Sequence, residues 1–69
     1  ELDAYSAAID RYISMKNNLK PGDANAIRRL NEQKAKIDEM TKRFQTASGM
    51  TAAQSTRFKN LKAKFDNAG

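Results

Sequence analysis

The stretch SGMTAAQSTRF, Ser48 to Phe58, decides the fold, because it reads as a linker, as a ligand loop or as the first turn of a helix. Gly49 can adopt the left-handed conformation that terminates a preceding helix. Thr51-Ala-Ala-Gln54 has the spacing of a capping box, in which the threonine hydroxyl serves the backbone N–H three residues on and the glutamine reaches back to the threonine N–H. The stretch is therefore read as a helix start. Ser55 occupies the place of a hydrophobic staple partner and is too polar for it, so Met50 is expected to pack on another helix.

A second break in the helical pattern is Pro21-Gly22, a turn signal following Asn17-Asn18-Leu19-Lys20. The two breaks divide the chain into segments of approximately 2–19, 23–47 and 51–66, and none shows the period-two alternation of a strand. In the first, Leu2, Tyr5, Ile9, Tyr12, Ile13 and Leu19 fall within an arc of about 120° at about 100° per residue, with Ala8 and Met15 at its edge. Lys16 lies inside that arc near the helix end, where its stem can pack while the ammonium reaches water. The second segment opens on Asp23, a good N-cap, and carries the stripe Ile27, Leu30, Ile37, Met40 and Phe44, with Ala26 and Ala47. Gln33 interrupts the stripe and needs a partner or a route to solvent. The third segment shows a narrow apolar face of Phe58, Leu61 and Phe65.

Three amphipathic helices with short connections predict an all-α, up-down-up three-helix bundle occupying residues 1–69 as a single domain. The alternative is a long helical hairpin or coiled coil that forms its core by dimerising. Lys16, Lys34 and Thr41 stand at would-be seam positions and interrupt a sustained heptad, which favours the bundle. At 69 residues the core is thin, so self-association is expected to be open to the chain, with Tyr5, Tyr12 and Met15 as candidates for an exposed apolar patch.

Composition narrows the chemistry. Cysteine and histidine are both absent, which removes the thiol nucleophile, the imidazole base and the usual zinc ligand set. Asp38-Glu39 is an adjacent pair whose side chains diverge on a helix, so it does not form the converging carboxylates of a glycosidase or two-metal site. Asp23-Ala-Asn25 matches only the start of a calcium loop, and the isolated glycines build no phosphate cradle. The expectation is a non-enzymatic protein with no cofactor and no metal. No apolar run approaches the roughly 20 residues of a membrane-spanning helix, and no signal-peptide core is visible, so a soluble chain is expected. The start at Glu1 is compatible with a processed form or with a segment of a longer protein.

Charge is the conspicuous feature: 13 basic against 8 acidic residues, a net +5. Residues 1–23 carry 3 basic and 4 acidic groups, residues 24–49 carry 6 and 3, and residues 50–69 carry 4 and 1, so the excess sits on the second and third helices. The expected function is a protein-protein interaction module that docks onto an acidic protein surface through Arg28, Arg29, Lys36, Lys42, Arg43, Arg57, Lys59 and Lys64. Glu32 before Lys36 and Asp38 before Lys42 are expected to pair along the helix surface. A nucleic-acid-binding domain using the same basic surface is the alternative, although Phe58 and Phe65 read as core residues and not as base-stacking platforms. Cations flanking the apolar stripe of the third helix also fit an anionic membrane surface, less well because that stripe is narrow. Met50-Thr51-x-x-Gln54 resembles, over five residues, the Leu-Thr-x-x-Gln signature of the small helical periplasmic chaperones of the Spy type. Methionine replaces the leading leucine and no second copy occurs; the resemblance implies chaperone-like activity.

Overall fold

The computed structural model describes residues 1–69 as three helices: α1 (Leu2–Asn17), α2 (Ala24–Thr46) and α3 (Ala52–Ala68). The capping box forms as expected, with Gln54 N donating to Thr51 Oγ1 at 3.1 Å and Thr51 N donating to Gln54 Oε1 at 2.9 Å. Asp23 caps α2 by accepting from Ala26 N at 3.0 Å.

Helix ends differ from expectation where side chains act locally. α1 stops at Asn17, two residues early, because the Asn18 side chain donates to the Ser14 carbonyl at 2.9 Å and turns the chain toward Pro21-Gly22. α2 stops at Thr46, and Ala47 is extended. Gly49 does take the left-handed conformation, at φ +84°, but within the connection and not at the end of α2. α3 runs to Ala68, whose carbonyl accepts from the Lys16 ammonium of α1. Lys16 thus closes the end of α3 instead of only reaching water.

Tyr5 meets Phe58 with ring centroids 5.6 Å apart, and Tyr12 meets Phe65 edge-on at 5.1 Å. The same seven-residue step on both helices makes α1 and α3 parallel. Thr41 bonds to Tyr5 and Gln33 to Ala8, so α2 runs antiparallel to both. The result is a compact up-down-up three-helix bundle. α1 packs along both other helices, whereas direct contact between α2 and α3 is slight. Its clearest element is the ring pair Phe44–Phe58 at 5.5 Å.

The bundle is an elongated rod, with extents of 44 × 16 × 16 Å, and no helix is long and apolar enough to cross a membrane. So slender a body buries only 9 of 69 residues, and each one matters. Leu2, Tyr5, Ala8, Ile9 and Tyr12 come from α1, Ile37 from α2, and Phe58 and Phe65 from α3. Met50 packs against this core, as expected. Two expectations fail. Tyr5 and Tyr12, considered for an exposed patch, are 0% and 5% exposed, whereas Ile27, assigned to the buried stripe, is 42% exposed.

The ninth buried residue is Thr41. Its hydroxyl has one hydrogen, which it donates to the Ile37 carbonyl at 2.9 Å. The 2.7 Å bond to Tyr5 must therefore be donated by the tyrosine. Gln33 has also found its partner, donating to the Ala8 carbonyl at 3.0 Å. No buried side-chain polar atom is left unpaired.

A double-mutant cycle tests this pairing. Tyr5→Phe should cost about 1 kcal/mol, while Thr41→Val, which strands the tyrosine hydroxyl in the core, should cost about 1–3 kcal/mol. The double variant should be less damaged than the sum of the two, as read by urea denaturation. Gly49→Ala, where an added Cβ meets nothing within 4 Å, should cost about 1–2 kcal/mol from backbone conformation alone.

Candidate functional site

All eight cations expected at the docking surface are exposed, but the fold divides them into two groups. Arg57 pairs with Asp3 at 2.8 Å and Lys64 with Asp10 at 2.8 Å. Both pairs step by seven residues on parallel helices, so they form two rungs about 10 Å apart along the α1–α3 seam. Arg57 and Lys64 are consequently engaged within the bundle. Lys62, on the other shoulder of α3, bonds to Asp66 at 3.0 Å one turn on.

Arg28, Arg29, Lys36, Lys42, Arg43 and Lys59 make no ion pair. The expected Glu32–Lys36 and Asp38–Lys42 bridges do not close either. These exposed pairs have little to gain, since holding two long side chains in one geometry costs entropy that solvent-screened attraction barely offsets.

Arg29, Lys36 and Arg43 are spaced by seven along α2, a step that turns only about 20° on an α-helix. They form one row, about 21 Å long at about 1.5 Å per residue. Relative to the inward Ile37, this row lies about 80–120° round the helix, on the side of Gln33 and Met40. Glu32 and Glu39 alternate with it, each within one turn of two cations. Arg28 and Lys42 lie further outward. The face therefore reads plus, minus, plus, minus, plus along its edge, with additional positive charge behind. Lys59, on α3, stands apart from it.

Two depressions flank the bundle ends. One, of about 600 Å³, opens where the α2–α3 connection passes the start of α1 and is lined by Leu2, Asp3, Phe44, Met50, Gln54 and Arg57 among others. Two of its charged walls, Asp3 and Arg57, are already joined to one another, and Glu1 is the third charged residue there. The second, of about 300 Å³, lies beside the α1–α2 turn and includes Met15, Leu19, Lys20 and Arg29. No group of three or more His, Cys, Asp or Glu side chains is arranged to hold a metal ion.

Thr51 and Gln54, the residues that carry the chaperone-like signature, are both engaged in the helix cap. What sequence reading missed is the pairing of Arg57 and Lys64 with α1. Its signal was present: Asp3 and Asp10 share the seven-residue spacing of Arg57 and Lys64 and become opposed once α1 and α3 are parallel.

The Arg57 guanidinium, first by its hydrogen bond and then by its charge, holds the Asp3 carboxyl below its ordinary pKa. The folded value is the lower one, so the contribution of this pair is present above the ordinary carboxylate range and lost as pH falls through the lowered value. In an NMR titration, Arg57→Gln should raise the Asp3 midpoint toward its ordinary value. An unchanged midpoint would show that the ion pair does not persist in solution.

Comparison of the chain with protein families, with curated proteins and with solved structures gives no match.

Proposed function

We propose that this protein is a non-enzymatic interaction module that docks onto another protein through the outer face of α2. The observation that carries the reading is the row Arg29, Lys36 and Arg43, three exposed cations in register with no ion-pair partner in the bundle. Arg28 and Lys42 extend the face outward, and Lys59 adds a separate contact from α3. Arg57 and Lys64, also exposed, reach Asp3 and Asp10 of α1 and are secondary in this reading.

The alternation with Glu32 and Glu39 bears on the kind of partner. A polyphosphate presents uniform negative charge and would meet two carboxylates within the row. A protein surface can present acids opposite the cations and bases opposite the glutamates, and such patterned complementarity sets register and suppresses wrong partners. Phe58 and Phe65 are buried, which leaves neither for stacking on bases. Both points favour a predominantly acidic protein partner over nucleic acid.

Affinity capture with the intact chain, followed by reconstitution with the purified partner, supplies the test. Simultaneous Arg29→Glu, Lys36→Glu and Arg43→Glu should weaken the reconstituted complex by about a hundredfold, or about 2.7 kcal/mol, while the circular dichroism melt stays near that of the wild type. Unchanged affinity with an intact fold would refute the assignment. Tight binding to duplex DNA with a steep inverse dependence on salt would move the surface to the nucleic-acid reading.

A further inference from the structure

The depression of about 300 Å³ beside the α1–α2 turn has an apolar wall made by Met15 of α1, Leu19 of the turn and Ala26 of α2, each half-buried. Met15 stands about 140° round α1 from Asp10, which pairs with Lys64 of α3, and about 100° from Lys16, which bonds to the Ala68 carbonyl. The depression therefore opens on the flank of the α1–α2 pair that is turned away from α3. Arg29, the first cation of the α2 row, stands at its rim.

Charge around this recess is predominantly positive. Lys20 and Arg29 line it, and Arg11 lies one turn before Met15 on the same side of α1; none of the three makes an ion pair. Two carboxylates are close. Asp23 also lines the recess, but its side chain accepts from Ala26 N, where the positive end of the α2 dipole answers its charge. Glu32, exposed, follows Arg29 by one turn. The Asn18 amide, at the same edge, is turned to the Ser14 carbonyl.

We propose that this recess receives one apolar side chain of the acidic protein partner, of about the size of leucine, from a segment in which carboxylates flank it. The inference rests on the α2 row as the docking face and names the anchor of that same interface. Arg29 belongs to both, so a partner aligned with the row meets the recess at its end. Exposed ion pairs contribute little individually, whereas the strongest contacts of protein interfaces are side chains lodged in desolvated pockets ringed by weaker ones. Met15, Leu19 and Ala26 offer the pocket, and Lys20 and Arg29 offer the ring. The flanking carboxylates would meet these two cations. A second copy of this chain carries net +5 and would bring like charge to them.

The probes are a capped peptide, Glu-Asp-Leu-Asp-Glu, and its counterpart with serine in place of leucine, each titrated into the ¹⁵N-labelled full chain at low salt. The leucine peptide should give saturable shifts at the amides of Met15, Leu19, Ala26 and Arg29 and bind about tenfold more tightly than the serine peptide, in keeping with partial burial of one leucine. Ala26→Gln, three residues after the Asp23 cap where glutamine suits a helix, should fill the recess and abolish that preference without an appreciable change in the melt. Lys20→Glu should weaken both peptides. Lys36→Glu with Arg43→Glu should leave the leucine preference intact, since neither residue lines the recess. Five results would overturn the proposal: no saturable shifts with either peptide, equal binding of the two, a leucine preference that survives Ala26→Gln, concentration-dependent shifts of the same amides without peptide, or those shifts with anionic phospholipid vesicles in place of the peptide. The fourth would assign the recess to a second copy and the fifth to a membrane. Loss of the leucine preference leaves the α2 row reading standing, because that reading is measured on the reconstituted complex; an unchanged complex after reversal of the row would refute the row while the peptide ratio still reports on the recess.

Discussion

Tyr5 joins the three helices at one point. Its ring lies 5.2 Å from that of Phe44 and 5.6 Å from that of Phe58, and its hydroxyl donates to Thr41 at 2.7 Å. Each aromatic pair adds about 0.5–1.5 kcal/mol beyond the area it buries, a large share of what a domain of this size can hold. The hydroxyl adds direction to that attraction: it is satisfied only when Thr41 faces α1, which sets the rotation of α2. A chain with 9 buried residues has few other means of choosing among similar packings.

The remaining architecture follows from this junction and its echo seven residues on, where Tyr12 packs on Phe65. α1 becomes the shared support, and the rungs Asp3–Arg57 and Asp10–Lys64 run beside the aromatic contacts. α2 and α3 are held mainly through α1, so their outer faces are free of most structural duty. α2, at 23 residues against 17 for α3, extends beyond its neighbour, and its free cations and its uncovered Ile27 end up on opposite sides. Surface charge is thereby sorted by the bundle: Arg57 and Lys64, near α1 carboxylates, form exposed ion pairs across the seam, and the cations of α2, remote from them, form none.

Much of this was legible from local chemistry. The Thr51–Gln54 cap and the Asp23 cap involve residues three positions apart, so their partners are written beside them in the chain. The helical segments follow from apolar spacing and from Pro21-Gly22 and Ser48-Gly49. Thr41 looked like a defect in the seam because the group that satisfies it, the Tyr5 hydroxyl, lies 36 residues away. Ile27 looked buried because periodicity reports which way a side chain faces and not whether a neighbouring helix reaches it. The basic residues were legible as an excess of charge; their division between those paired to α1 and those left unpaired depends on the parallel alignment of α1 and α3, which no single segment encodes.

Native-state hydrogen exchange probes the claim that α1, clasped at Tyr5, is the support of the whole bundle. Amides of Tyr5 to Tyr12 should exchange only through global unfolding, together with those near Thr41 and Phe58, while amides of the projecting first turns of α2 open at lower free energy. Strong protection of α2 with little or none across Phe58 to Phe65 would contradict the account, because α3 would then not be fastened to α1.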